Sequence, residues 1–191
     1  MDLILLRHGE TEHNRQRRYC TDDCPLSEEG ILQMERVADK INDLIIDRAM
    51  VSPFTRTRES FEIINKYHNL PYEIVNEIRE VDAGRMKGLT FEEGKKRYPS
   101  EVEDYLFDYI DTPLPGGESI QAAYDRAGRV VRSLKKQSGN ILMVTHGGFI
   151  SLILSNILGD VKNYHRFSVD NGSFTLIKIE NFSRIRYINR I

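Results

Sequence analysis

Leu3-Ile4-Leu5-Leu6-Arg7-His8-Gly9-Glu10-Thr11 opens the chain with an unbroken apolar run that stops at an arginine, a histidine and a glycine. Four apolar residues without alternation fit a strand buried on both faces, as in a parallel sheet covered by helices. The same pattern returns at Ile141-Leu142-Met143-Val144-Thr145-His146-Gly147-Gly148. A third short strand over 48–51 ends at Val51-Ser52-Pro53, with Arg56 and Arg58 in the turn beyond. Short apolar strands alternating with helical segments predict an α/β fold. In such sheets ligands bind beyond the carboxyl ends of the strands, which is where these histidines and arginines fall.

Working outward, Ser27 is a candidate cap for a helix, with Glu28 and Glu29 in its first turn and Ile31, Met34, Ala38, Ile41 and Ile45 at helical spacing. Further helices are expected over 54–67, 91–97 and 102–110, and a strand over 72–75. Pro113, Pro115, Gly116 and Gly117 mark a loop. Ser119 then opens a long helix whose buried face is Ile120, Ala123, Ala127, Val130 and Leu134. A buried helix follows His146 and stops near Gly159, and strands over 174–179 and 185–188 read as an antiparallel pair. The expected architecture is a three-layer α/β sandwich, one domain over 1–191. Its mostly parallel central sheet is covered by helices on both faces, and residues about 84–117 form a small helical cap.

With 191 residues, 40% hydrophobic and 29% charged, the composition is that of an ordinary globular protein. A net charge of −2 gives no general attraction to nucleic acid or an anionic membrane. The longest apolar stretch, 149–158, falls well short of the about 20 residues that cross a bilayer. The N-terminal run is too short for a signal-peptide core and carries Asp2 where basic residues belong, so the cytoplasm is the expected compartment. Cys20 and Cys24 form no disulfide framework, and no second Cys or His pair completes a zinc site; they are read as two reduced thiols. The oligomeric state is not legible.

Strand alternation puts Arg7 and His8 on opposite faces. For both to face one pocket, the strand should end near Leu6 and the backbone turn there. Taken singly, a histidine at a strand end is usually structural, and an arginine after Ser-Pro is usually solvated. Together, Arg7, His8, Arg56 and His146 at the ends of separate strands suit a phosphate: guanidinium forks bind its oxygens and spread transition-state charge. A neutral imidazole is a competent nucleophile toward phosphorus without a metal. Gly147, opening a helix, offers a backbone N–H in a favourable dipole field.

The chain resembles the histidine phosphatase superfamily, the phosphoglycerate-mutase-like proteins. The matching segments are 5–14 (Leu-Leu-Arg-His-Gly-Glu-Thr-Glu-His-Asn), Pro25-Leu26-Ser27, Ser52-Pro53-Phe54-Thr55-Arg56, Ile78-Arg79-Glu80, 115–119 (Pro-Gly-Gly-Glu-Ser), Thr145-His146-Gly147-Gly148 and the tail 167–173. They stand in family order along essentially the whole chain. The resemblance implies that His8 becomes phosphorylated, that Arg7, Arg56 and His146 form the phosphate pocket, and that Asn14 adds a side-chain donor. It also makes Glu80 the proton donor and then the base for water. Without it, Glu80 would read as one more exposed carboxylate. No cofactor or catalytic metal is implied, and the partner is a small phosphomonoester.

The segment Tyr19-Cys20-Thr21-Asp22-Asp23-Cys24 departs from the family pattern, which has a glycine in this loop. Arg85 and Lys87 are within reach of a substrate anion or belong to a solvated loop. Length, the Arg17-Arg18-Tyr19 loop and the ending around Asp170-Asn171-Gly172 look most like the α-ribazole-phosphate phosphatases of cobalamin assembly. Broad-specificity sugar-phosphate and phosphoserine phosphatases, a phosphoglycerate mutase, and a non-catalytic phosphate-binding module are the alternatives. Tyr98, Tyr105, Phe107 and Tyr109 either line a pocket for an aromatic leaving group or pack against the body of the protein.

Overall fold

The computed structural model describes Met1–Ile191. Strand β1 (Asp2–Arg7) leads through a one-turn helix α1 (Glu12–Arg15) to α2 (Glu28–Lys40), β2 (Arg48–Val51), α3 (Thr55–His68) and β3 (Tyr72–Ile74). Two short helices, α4 (Phe91–Arg97) and α5 (Pro99–Phe107), precede α6 (Ile120–Leu134), β4 (Ile141–Thr145), α7 (Gly147–Leu158), β5 (Phe174–Lys178) and β6 (Arg184–Arg190). The six strands form one sheet in the order β3-β2-β4-β1-β5-β6. Its first four strands are parallel, and β5 and β6 run antiparallel along one edge.

The two faces carry separate cores. Leu3, Leu5, Ile141 and Met143 point toward α6 and α7, and Ile4, Leu6, Leu142 and Val144 point toward α2 and α3. The alternation explains why both strands are apolar throughout: each successive side chain enters a different core. A third, smaller cluster of Ala83, Met86, Val102 and Leu114 joins α5 to the segments flanking it.

Ser27 and Ser119 cap α2 and α6 through the Gly30 and Ala122 amides, and Gly159 ends α7 in the left-handed conformation with φ 80°. All five expected core positions of α6 are buried. Three expectations fail locally. Ile31 is 42% exposed because Gly30 occupies the inner line of the first turn of α2, where its backbone presses on Glu10. Ile45 is 76% exposed because α2 stops at Lys40 and the chain turns. The helix expected over 102–110 starts earlier, at Pro99, and ends at Phe107, whose ring is 94% exposed. Proline at the first helical position suits that earlier start, since its missing N–H has no partner there in any helix. No helix is long and apolar enough to cross a membrane.

Candidate active site

The carboxyl ends of β1, β2 and β4 open on a cavity of about 170 Å³ lined by Arg7, His8, Asn14, Phe54, Arg56 and Glu80, among others. His8 and Arg7 both reach it without the expected turn. Strand β1 runs on through Arg7, whose N–H donates to Ser173 O (3.0 Å), and the His8 N–H still donates to Thr145 O (3.1 Å). The long Arg7 side chain instead runs beside Gly147 and donates to Val169 O. A Cβ at Gly147 would lie 3.2–3.3 Å from the Arg7 guanidinium stem, so the glycine leaves room for it.

Hydrogen bonds fix the state of His8. Its Nδ1 lies 2.7 Å from Gly9 O, and a carbonyl only accepts, so Nδ1 carries the hydrogen. Arg56 Nε donates to His8 Nε2 at 3.2 Å, which leaves the lone pair on Nε2. Burial, with the Arg56 and Arg7 charges adding to it, holds the His8 pKa well below the usual imidazole value. The ring is therefore a neutral imidazole with its hydrogen on Nδ1 and its lone pair on Nε2. Arg56, buried in the first turn of α3, also donates to Thr21 O at 2.8 Å. Arg58, two residues on, faces solvent.

His146 is fully buried, and its ring centroid lies 5.2 Å from that of His8. Its Nε2 pairs with Ser52 Oγ at 2.7 Å. Burial, then the charge of Arg56, pushes its pKa down as well. Either atom of that pair can donate, and the buried Nδ1 on the other side of the ring has no protein partner; neither has Arg7 Nε. An unpartnered guanidinium N–H and an unpartnered ring nitrogen, both buried beside the neutral His8 ring, suit an anion.

Glu80 is half-buried, and three backbone amides hold it: Phe149 N and Val81 N at 3.0 Å on Oε1, Gly148 N at 3.2 Å on Oε2. The first turn of α7 thus binds the carboxylate, and Gly147 serves through its small size beside Arg7. Behind Glu80, buried Arg126 forks onto Glu118 (3.0 and 2.6 Å) and donates to the carbonyls of Glu77 and Arg79 at 2.8 Å. Nothing in its sequence context, the middle of an amphipathic helix, distinguishes Arg126 as support for the 77–80 segment.

Asn14 joins the cavity through the capping box of α1, with its Oδ1 accepting from Thr11 N (3.2 Å) and Asn171 Nδ2 (3.1 Å). Asn171 also donates to the carbonyls of His8 and Gly9, so the tail segment braces the loop that follows β1. The cations Lys87 and Arg18 that line the cavity are paired, Lys87 with Asp22 and Asp82 and Arg18 bidentate with Glu93; Arg85, outside the cavity, pairs with Glu101.

Past Glu80 a second cavity, about 290 Å³, is walled by Tyr19, Tyr105, Tyr164, Leu114 and Ile120. Of the four aromatics expected from sequence, only Tyr105 lines it. Tyr98 stacks with Arg85, Tyr109 packs on His165, and Phe107 is exposed. Burial pushes the Tyr19 phenol up to about 12 and raises that of Tyr164, with Glu80 adding to the latter, so both stay neutral at physiological pH.

The sequence profile of the histidine phosphatase superfamily (branch 1) matches residues 3–188. Phosphoserine phosphatase 1 of Hydrogenobacter thermophilus is 30% identical over 184 residues, covering 93% of this chain and 86% of that protein. The adenosylcobalamin/alpha-ribazole phosphatase of Escherichia coli K12 is 26% identical over 99% of this chain and 96% of its own length. The crystal structure of the alpha-ribazole phosphatase from Shigella flexneri superposes with a TM-score of 0.92, at 26% identity, covering 99% of this chain and 96% of that one.

Proposed function

The chain belongs to the histidine phosphatase superfamily, and from that premise we propose that it hydrolyses small phosphomonoesters through a phosphohistidine on His8, with an aromatic nucleoside phosphate of the α-ribazole type as preferred substrate. The observation that carries the mechanism is the His8 hydrogen-bond pattern, with Nδ1 tied to Gly9 O and the Nε2 lone pair on the cavity side accepting from Arg56 Nε, a contact that a bound phosphoryl group would replace. Nε2 attacks phosphorus, the ester P–O bond breaks, and Glu80 delivers the proton that the departing oxygen takes up. Water then attacks the phosphohistidine, Glu80 takes a proton back, the P–N bond breaks and phosphate leaves. Arg7, Arg56, His146 and Asn14 hold the phosphoryl oxygens through both steps.

The preference for an aromatic leaving group rests on the second cavity, whose three tyrosines lie just past the proposed acid. Phosphoserine carries a carboxylate that needs a free cation, whereas Lys87, Arg18 and Arg85 are each engaged by acidic side chains. The test is phosphate release from α-ribazole phosphate, phosphoserine and a sugar phosphate in the presence of a chelator. Wild type should favour the first, His8→Ala should be inactive, and Tyr164→Ala should raise KM for the aromatic substrate alone. Full activity of His8→Ala, or a requirement for added metal, refutes the mechanism. A preference for phosphoserine refutes the leaving-group assignment, and isomerisation of phosphoglycerate with little hydrolysis favours the mutase.

A further inference from the structure

Hydrolysis leaves one cluster of reactive side chains unused. The Sγ atoms of Cys20 and Cys24 and a ring nitrogen of His13 all lie within 4.8 Å of one another. Cys24 is buried at 5% exposure, and the other two are half-buried. His13 Nδ1 is itself buried without a hydrogen-bond partner, an arrangement that costs stability unless something binds it. Both cysteines are free thiols.

We propose that His13, Cys20 and Cys24 bind Zn²⁺ as a three-ligand site in the wall of the phosphate cavity. Two sulfurs and an imidazole are the donor set that selects a soft or borderline cation over magnesium or calcium. Zinc bonds of about 2.3 Å to sulfur and 2.0–2.1 Å to nitrogen place tetrahedral ligand atoms roughly 3.4–3.8 Å apart. From separations of up to 4.8 Å the three atoms must therefore close by at most about 1.0–1.4 Å, which side-chain rotation supplies. A cleft lined by Glu12, His13, Asp23 and Cys24 leads in from the surface, so a cation has an entry path past two carboxylates. The fourth coordination position is left to water.

The site touches the chemistry through Cys20, which also lines the phosphate cavity. Its Sγ accepts from Asn14 Nδ2 at 3.5 Å and lies 3.3 Å from Thr11 Oγ1, the cap of α1. Thr21, next in the chain, offers its carbonyl to Arg56. Drawing Cys20 onto a metal loosens its contact with Asn14 and shifts the loop that orients Arg56, so zinc should raise KM for phosphate esters. That last effect rests on the proposed phosphatase reading; zinc binding itself does not.

The experiment titrates Zn²⁺, and Co²⁺ as a spectroscopic stand-in, into the full chain under a phosphine reductant. One Zn²⁺ per chain should survive gel filtration. Co²⁺ should give thiolate-to-metal charge-transfer absorption and the visible bands of tetrahedral coordination. Cys20→Ser and His13→Asn, both at half-exposed positions, should keep native thermal melts and weaken binding beyond the about 10–100-fold expected for loss of a supporting contact. His8→Ala should bind zinc as wild type does, which separates this site from metal lodged among the catalytic histidines. Binding unchanged in Cys20→Ser and His13→Asn, binding lost in His8→Ala, or an octahedral Co²⁺ spectrum without thiolate bands overturns the proposal. Zinc retention by a chain whose zinc-free form releases no phosphate from any ester leaves the metal site standing and sinks the catalytic reading instead.

Discussion

Lowering the pH should destabilise this protein through two histidines, His8 and His146. Both are buried, at 3% and 0% exposure, and both have pKa values held well below 6.5 by desolvation and the neighbouring Arg56 charge. In the unfolded chain they titrate normally, so below pH 6.5 the unfolded state binds more protons than the native one. A depressed native pKa therefore gives stability that is full above the unfolded pKa and lost as pH falls toward the native pKa. Between pH 6.5 and about 5.5 each histidine should cost about 1 kcal/mol, and the pair about 2 kcal/mol. Ordinary carboxylates stay ionised in that window, so they add little to the slope. Urea unfolding at several pH values reads the loss directly, and His8→Asn should halve it by removing one of the two protons. A flat profile across that window, or a slope that His8→Asn leaves unchanged, would show that these rings charge freely in the native state, and the neutral-nucleophile argument would go with it.

Three further outcomes follow from particular contacts. Arg126→Met strips half-buried Glu118 of its closer ion partner, leaving Arg79 at 3.8 Å, and frees the carbonyls of residues 77 and 79, so about 1–3 kcal/mol of stability should be lost in chemical denaturation; kcat should fall while KM changes little, because the positioning of Glu80 suffers rather than substrate binding. In Gly148→Ala the new Cβ would lie 2.5 Å from Glu80 Oε1 and push the carboxylate aside. A displacement of that size should cost on the order of 100-fold in kcat with the thermal melt nearly unchanged, and undiminished kcat would count against Glu80 as the acid. Gly30→Ala would drive a methyl into the Glu10 backbone, where Gly9 and Gly30 let α2 approach the loop that carries His8. A loss of about 1–3 kcal/mol in denaturant unfolding is expected from such overpacking.

The apolar runs 3–6 and 141–144 needed no tertiary information to be read as buried parallel strands, because their lack of alternation demands a core on each face. Their endings placed Arg7, His8 and His146 at one edge of the sheet, and the capping serines marked where α2 and α6 begin. Resemblance to a family, rather than periodicity, singled out Glu80, since a lone carboxylate after a short strand has no local signature. Three things were settled only by packing across distant segments. The tautomer of His8 depends on Gly9 O and on Arg56, 48 residues away. The aromatic wall drew on Tyr19, Tyr105 and Tyr164 rather than on consecutive positions of one helix. The two thiols acquired a histidine partner because the turn after α1 folds residues 20–24 back over His13. Sequence spacing reports on neighbours along one strand or helix; a donor's direction and a cavity's walls depend on which segments the tertiary fold sets face to face.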